Sequence, residues 1–235
     1  RTEAGLPTLC AHSCVGRIRY IGVLLYNADR IAAAAAAPEA TSVYPEHLDL
    51  LLDPHDPEVA AAGERQGIPD NYLAAARRSP VYRLIKEWRL ALPLHPEFRT
   101  LPMVWYVPPL SPLGPLAEEA QGAAVVDRLR IPVAYLANLL TAGDEAPVRL
   151  ALKRLWALRR HMRAQRLGEP PDQAALESVG LDPGQAAAMY RLLALAPHGE
   201  RFVVPTAAGG PLADAHTAQG RCGFPAAAGP TPEGG

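Results

Sequence analysis

The sequence predicts an α+β fold that is mainly α, and three observations carry that reading. Helix start and stop signals follow one another from Ile131 to Ala196. One run, Arg17 to Tyr26 (RIRYIGVLLY), has the β-branched and aromatic density of a strand. Between them, Leu92 to Pro112 carries six prolines, which confine it to extended or turning backbone.

Each element follows from local chemistry. The strand Arg17–Tyr26 ends at the turn Asn27-Ala28-Asp29. Ala32 to Ala37 has high helix propensity, and Pro38 stops it. Asp56 reads as an N-cap with Pro57 at the first helical position, opening a helix to about Gln66 that Gly67 closes. Ser79-Pro80 repeats that start signal, and Val81, Leu84, Ile85 and Trp88 follow as one apolar stripe. Met103 to Val107 is a short strand whose Trp105 and Tyr106 need a surface to cover. Gly114 to Asp127 is a weakly patterned loop.

Pro132 to Leu140 forms a helix ended by Gly143, and Asp144 caps a long one through about Arg166. On that helix Arg159 shares a stripe with Val148, Leu152, Leu155 and Met162. The stripe predicts that Arg159 is less exposed than Arg160 and Arg163, or lies at a partner contact. Asp172 opens a short helix that Gly180 closes. Asp182-Pro183-Gly184-Gln185 combines an N-cap, Pro at N1 and a capping-box Gln, opening a helix to about Ala196. Phe202 to Pro205 is extended, and beyond Thr206 an Ala, Gly and Pro composition predicts a disordered tail.

Composition excludes several classes. A chain of 235 residues makes one large domain or two small ones. With 49% hydrophobic and 20% charged residues, it is neither disordered nor a membrane protein by composition. Lys plus Arg at 23 against Asp plus Glu at 24 argues against nucleic acid as the main partner. No apolar run reaches the roughly 18 residues of a membrane span. The chain opens on Arg1 with no signal-peptide pattern, which predicts a fragment whose start lies upstream.

Three cysteines, Cys10, Cys14 and Cys222, make no disulfide framework; cytosolic usage or metal ligation fits them. Cys10-Ala11-His12-Ser13-Cys14 is a C-x3-C pair. Two thiolates suit zinc or part of an iron–sulfur cluster, and either site wants about four ligands. The plainer reading is a pair of small buried residues. His55 and His95 sit beside prolines as solvated rings, and helix capping accounts for Asp53, Asp56 and Glu58. No Walker loop, G-x-S-x-G or H-E-x-x-H is present. Read from its residues alone, the chain is an interaction or scaffold module.

Longer stretches resemble the beta chain of respiratory nitrate reductase, the iron–sulfur electron-transfer subunit of a molybdenum enzyme. They are CAHSCVGRIRYIGVLLYNADRI (Cys10 to Ile31), LDLLLDPHDPEV (Leu48 to Val59) and SPVYRLIKEWRLALPLHPEFRTLPMVWYVPPLSP (Ser79 to Pro112). LRIPVAYLANLLTAGD (Leu129 to Asp144), ALKRLWALRRHMRA (Ala151 to Ala164), MYRLLALA (Met189 to Ala196) and RFVVPT (Arg201 to Thr206) complete the set. The beta chains of nitrite oxidoreductase and related molybdopterin oxidoreductases share parts of it. A cluster-free interaction module is the alternative of a different class.

The resemblance implies the C-terminal half of such a subunit. Residues 1–31 would end a ferredoxin-like iron–sulfur domain. Residues 32–128 would form a Pro-rich connecting and docking strap, residues 129–206 a helical C-terminal domain, and residues 207–235 the tail. Cys10 and Cys14 match the last two members of a four-cysteine group, which makes them cluster ligands rather than buried thiols. Cys222 has a family counterpart, but its usual companion cysteine is missing, so it is not assigned. The complete subunit would hold three 4Fe-4S clusters and one 3Fe-4S cluster, none of them retained by this fragment alone. It would pass electrons from a haem-containing, quinol-oxidising membrane gamma subunit to a molybdenum-containing alpha subunit that reduces nitrate. It would lie peripherally on the cytoplasmic face of the membrane with no span of its own. No residue of this chain would be catalytic. Arg17 and Arg19, close behind Cys14, are candidates to favour a reduced cluster, or else simply face solvent.

Overall fold

A computed structural model describes residues 1–109 and 131–206 of the protein. The predicted loop over Gly114–Asp127, the tail from residue 207 and Cys222 lie outside the described residues. The first half is a succession of short helices: α1 (Leu9–His12), α2 (Ile31–Ala35), α3 (Ala40–Asp49), α4 (Pro57–Arg65), α5 (Asp70–Arg77) and α6 (Pro80–Tyr82). A π turn at Arg83–Glu87 prolongs α6. Strands β1 (Leu92–Pro93) and β2 (Trp105–Tyr106) then pair antiparallel, with Leu92 opposite Tyr106. The second half holds α7 (Val133–Leu140), α8 (Glu145–Leu167), α9 (Gln173–Glu177), α10 (Pro183–Tyr190) and α11 (His198–Arg201). A second π turn, Arg191–Leu195, continues α10. The fold is therefore mainly helical with one two-stranded sheet, in line with the predicted class.

The capping chemistry is where the sequence places it. Asp56 accepts the Glu58 amide at 2.8 Å and starts α4; Gly67, at φ 77°, follows its end. Asp144 accepts the Ala146 amide at 2.9 Å, and α8 stops at Gly168 in the left-handed region. Asp172 accepts the Ala175 amide at 2.9 Å. The capping box of α10 is reciprocal, with the Asp182 carboxylate on the Gln185 amide at 2.8 Å and the Gln185 carbonyl on the Asp182 amide at 3.1 Å.

Helix α8 is the hub of the second half, packing against α7, α9 and α10. The face of α7 toward it is Val133, Leu136, Ala137 and Leu140, all buried. From the first half, Tyr44, Leu48, Ile85, Trp88, Leu90 and Leu92 join the same apolar core. Arg154 of α8 stitches the halves together by donating to the carbonyls of Trp88 at 2.8 Å and Val179 at 3.3 Å.

The structure corrects three expectations. Arg17–Tyr26 is no strand. Among the described residues its strand-like pairings are lone bridges, Ile21 with Phe202 and Tyr26 with Leu51. Arg17 has φ 53°, which breaks an extended run at its start, and a Cβ on Gly22 would collide with the Ser79 hydroxyl and Pro80. The segment thus packs its backbone onto the start of α6 instead of pairing along a ladder. Second, α3 and α5 were not anticipated. Neither has a side-chain cap, and α3 carries Pro45 in its interior, so local signals argue against it. Third, within this chain Arg159 is exposed, like Arg160 and Arg163, which leaves a partner contact as the surviving half of that expectation. The buried stripe advances by threes through Leu152, Leu155, Leu158 and His161, which rotates it away from Arg159.

Candidate metal centre

Cys10 and Cys14 lie at the N-terminal edge of the fold. Cys10 sits within α1, and Cys14 begins the loop that follows it. The Arg17 amide donates to the Cys14 carbonyl at 3.0 Å, closing a turn whose left-handed residue is Arg17. Both thiols are free; Cys10 is exposed and Cys14 is half-buried, so the reading as a buried pair fails. Their surroundings are apolar and open to solvent: Leu9 is 62% exposed, Val15 97% and Ile18 76%.

Both thiols are held below their ordinary value. The Thr8 hydroxyl, 3.3 Å from the Cys10 sulfur, holds that thiol below its ordinary value, and the charge of Arg19 adds to the effect. At Cys14 the backbone amide of Ile18 is the chief cause of a lowered value. The amides of Gly16 and Arg17 and the side chain of Arg19 act in the same direction, against some desolvation. Thiolate is the form that ligates metal, so a lowered thiol value suits a ligand. Arg19 acts on both sulfurs, while Arg17 turns away to the Ala196 carbonyl at 2.5 Å.

The loop is fastened to the C-terminal part of the chain. Tyr20 donates to the Leu192 and Leu193 carbonyls of the π turn, at 3.3 and 3.4 Å. Ile21 exchanges backbone hydrogen bonds with Arg201 and Val203, each 2.9 Å. His12, between the two cysteines, meets the ring of His198 at 3.4 Å, and His198 stands edge-on to Phe202. Sequence reading missed His12, His198 and Arg201, since residues so distant along the chain carry no joint spacing signal.

Among the described residues, no group of three or more His, Cys, Asp or Glu side chains forms a metal site. Cys10 and Cys14 have the chemistry of a partial ligand set for an iron–sulfur cluster: two free thiols with uncovered apolar neighbours. The other sequence candidates are structural. Asp53 and Asp56 accept amides of the turn and the helix start, and His95 pairs with Glu97 at 2.7 Å.

Comparison with known proteins gives the class first. Residues 110–183 match the family described as respiratory nitrate reductase beta C-terminal. The chain is 50% identical over 230 residues to the respiratory nitrate reductase 2 beta chain of Escherichia coli (strain K12), covering 95% of this chain and 45% of that one. It is 48% identical over 237 residues to the nitrate reductase beta chain of Bacillus subtilis (strain 168), covering 98% and 49%. With the respiratory nitrate reductase 1 beta chain of Escherichia coli it shares 51% over 229 residues, covering 95% and 45%. The chain belongs to the respiratory nitrate reductase beta-chain family, and it spans about half the length of these relatives.

Proposed function

We propose that the protein is part of an iron–sulfur subunit that relays electrons from a quinol-oxidising, haem-containing membrane subunit to a molybdenum subunit reducing nitrate to nitrite. The observation that carries this reading is the near-half identity over almost the whole chain to nitrate reductase beta chains, with Cys10 and Cys14 free at one uncovered edge of the fold. Cys10 and Cys14 each ligate a different 4Fe-4S cluster, the arrangement in which the last cysteine of a run serves the neighbouring cluster. Their remaining ligands come from outside this chain, in a complete subunit of three 4Fe-4S clusters and one 3Fe-4S cluster.

When bound, such clusters supply one-electron transfer. This chain's own residues ligate, orient and cover. Tyr20 and Arg17 pin the cysteine loop to carbonyls of the second half. Leu9, Val15 and Ile18 offer an apolar surface for the rest of the iron–sulfur domain, so that water is excluded from the ligands. The proline-rich strap around β1 and β2 serves as a docking element, with Phe98, Met103 and Val104 exposed on it. No helix among the described residues is long and apolar enough to cross a membrane. The subunit lies peripherally on the cytoplasmic face in this reading. The near-half identity to nitrate reductase beta chains favours nitrate over the substrates of related molybdenum enzymes.

The test is substitution of Cys10→Ala and Cys14→Ala, one at a time, in the assembled enzyme. The expected result is loss or alteration of one cluster signal in electron paramagnetic resonance, a different one for each variant, with less iron and sulfide per complex. Unchanged cluster content in either variant overturns the assignment of that cysteine.

A further inference from the structure

Helix α8 changes character along its length. From Pro147 to Leu158 none of its residues is exposed. Beyond Leu158 it emerges from the core, and Arg159, Arg160, Arg163 and Arg166 are all exposed. The helix holds seven Lys and Arg residues against one acid, Glu145, a net charge of +6 in a chain whose total is -1. Part of that charge is matched within the chain. Glu145 pairs with Arg149 at 2.8 Å, and Asp172 with Arg160 at 2.5 Å. Arg166 lies over the Tyr190 ring, 4.8 Å from its centre, a contact that brings no negative charge. Arg159 makes no ion pair among the described residues. Intervals of four and three put Arg159, Arg163 and Arg166 on one face, within about 10 Å of helix length. The helix dipole favours cations in the last turn only, and Arg159 lies about two turns before the final residue, Leu167. Like charges at these intervals repel and weaken an isolated helix, and an anionic surface facing them removes that cost.

We propose that this arginine face of α8 docks on a row of carboxylates belonging to another subunit of the assembled enzyme. The inference rests on the subunit reading given above. A guanidinium binds a carboxylate through two parallel hydrogen bonds, and a straight row of guanidinium groups fits acids spaced along one helix or strand. An anionic membrane is the poorer match. The apolar side of α8 is buried in the core and has nothing to insert, which leaves only the attraction of each arginine to the surface potential. The rest of the chain, acidic on balance, is repelled by so extended an anion. A partner with a local acidic row meets the arginines without facing the acidic remainder.

The assembled, detergent-extracted enzyme is prepared with Arg159→Glu plus Arg166→Glu, with Arg159→Gln plus Arg166→Gln, and with Arg159→Lys alone. In the last, a carbodiimide joins the introduced amine to a carboxylate in contact with it, and mass spectrometry locates the product. The expected result is a cross-link from position 159 to an acid of another subunit. Release of the other subunits from enzyme immobilised through this chain is expected to be about tenfold faster with both charges reversed, and less accelerated with both neutralised. The difference should shrink at about 1 M salt, where exposed charges are screened. Absence of a cross-link from position 159 to another subunit overturns the inference, including the case in which it forms only within this chain or to a second copy. Release rates that the reversals leave unchanged overturn it too. Loss of binding to phosphatidylglycerol vesicles with subunit release unchanged assigns the face to the membrane instead. If the reversed variant does not assemble, the neutral one decides by the same release measurement. An unsubstituted chain that assembles with no other subunit sinks the subunit reading itself; one that assembles while the α8 variants behave like it removes only the role of α8.

Discussion

Tyr82 illustrates how burial of one side chain sets a pH dependence. Its phenol is pushed up to about 12, chiefly by burial, with the nearby Asp53 carboxylate repelling a phenolate. The folded state thus holds the proton more tightly than the unfolded chain does. The resulting stability is fully present below the ordinary tyrosine value near 10 and is lost as pH rises from there through about 12. Tyr82→Phe removes the hydroxyl from its site beside Asp53 and is expected to cost about 1 kcal/mol at neutral pH. The deficit should shrink between about pH 10 and 12. Denaturant unfolding of both proteins across that range checks it; parallel curves at all pH values would contradict the assignment.

At the scale of elements, caps explain why short helices persist in so proline-rich a chain. Helix α10 begins with both capping-box hydrogen bonds made and Pro183 at its first position. Asp182→Ala removes one acceptor and exposes the Gln185 amide, and is expected to destabilise the protein by about 1 kcal/mol. The measurement is the shift of the denaturant midpoint at constant slope. An unchanged midpoint would mean that tertiary packing alone holds α10. The π turn after α10 shows the converse. There the chain leaves carbonyls without intrahelical partners, and distant groups take them up: Tyr20 reaches Leu192 and Leu193, and Arg17 reaches Ala196. The cysteine loop is thereby tied to the end of the helical region.

For the molecule as a whole, the question is what makes its two halves one core. Apolar residues from Ala34 to Ala196 share a single cluster, and Arg154 crosses it. Burial lowers the Arg154 value from its ordinary one, which records the cost of placing that charge between two carbonyls. Arg154→Ala leaves the carbonyls of Trp88 and Val179 without their donor and is expected to destabilise the protein by about 2–3 kcal/mol. Arg159→Ala, on the exposed side of the same helix, should change stability by less than about 0.5 kcal/mol. The two variants compared by urea unfolding check the pair of expectations, and equal effects would count against the role given to Arg154.

Helix ends were legible along the chain because their chemistry is local. Asp56, Asp144, Asp172 and Asp182 each bond an amide two or three residues away, so spacing alone announces them. The family, too, was legible in contiguous motifs. Other features depended on atoms far apart in sequence. The rotation of α8 that exposes Arg159 and buries His161 follows from which neighbours pack on it. The failure of Arg17–Tyr26 to form a strand follows from Gly22 lying against Ser79, a contact no period-2 pattern contains. The surroundings of the cysteines divide along the same line. Composition and spacing marked Cys10 and Cys14 as a pair. Only the tertiary structure set His198 and Arg201 beside their loop, because such long-range neighbours are chosen by burial of the whole core and not by the residues next to them.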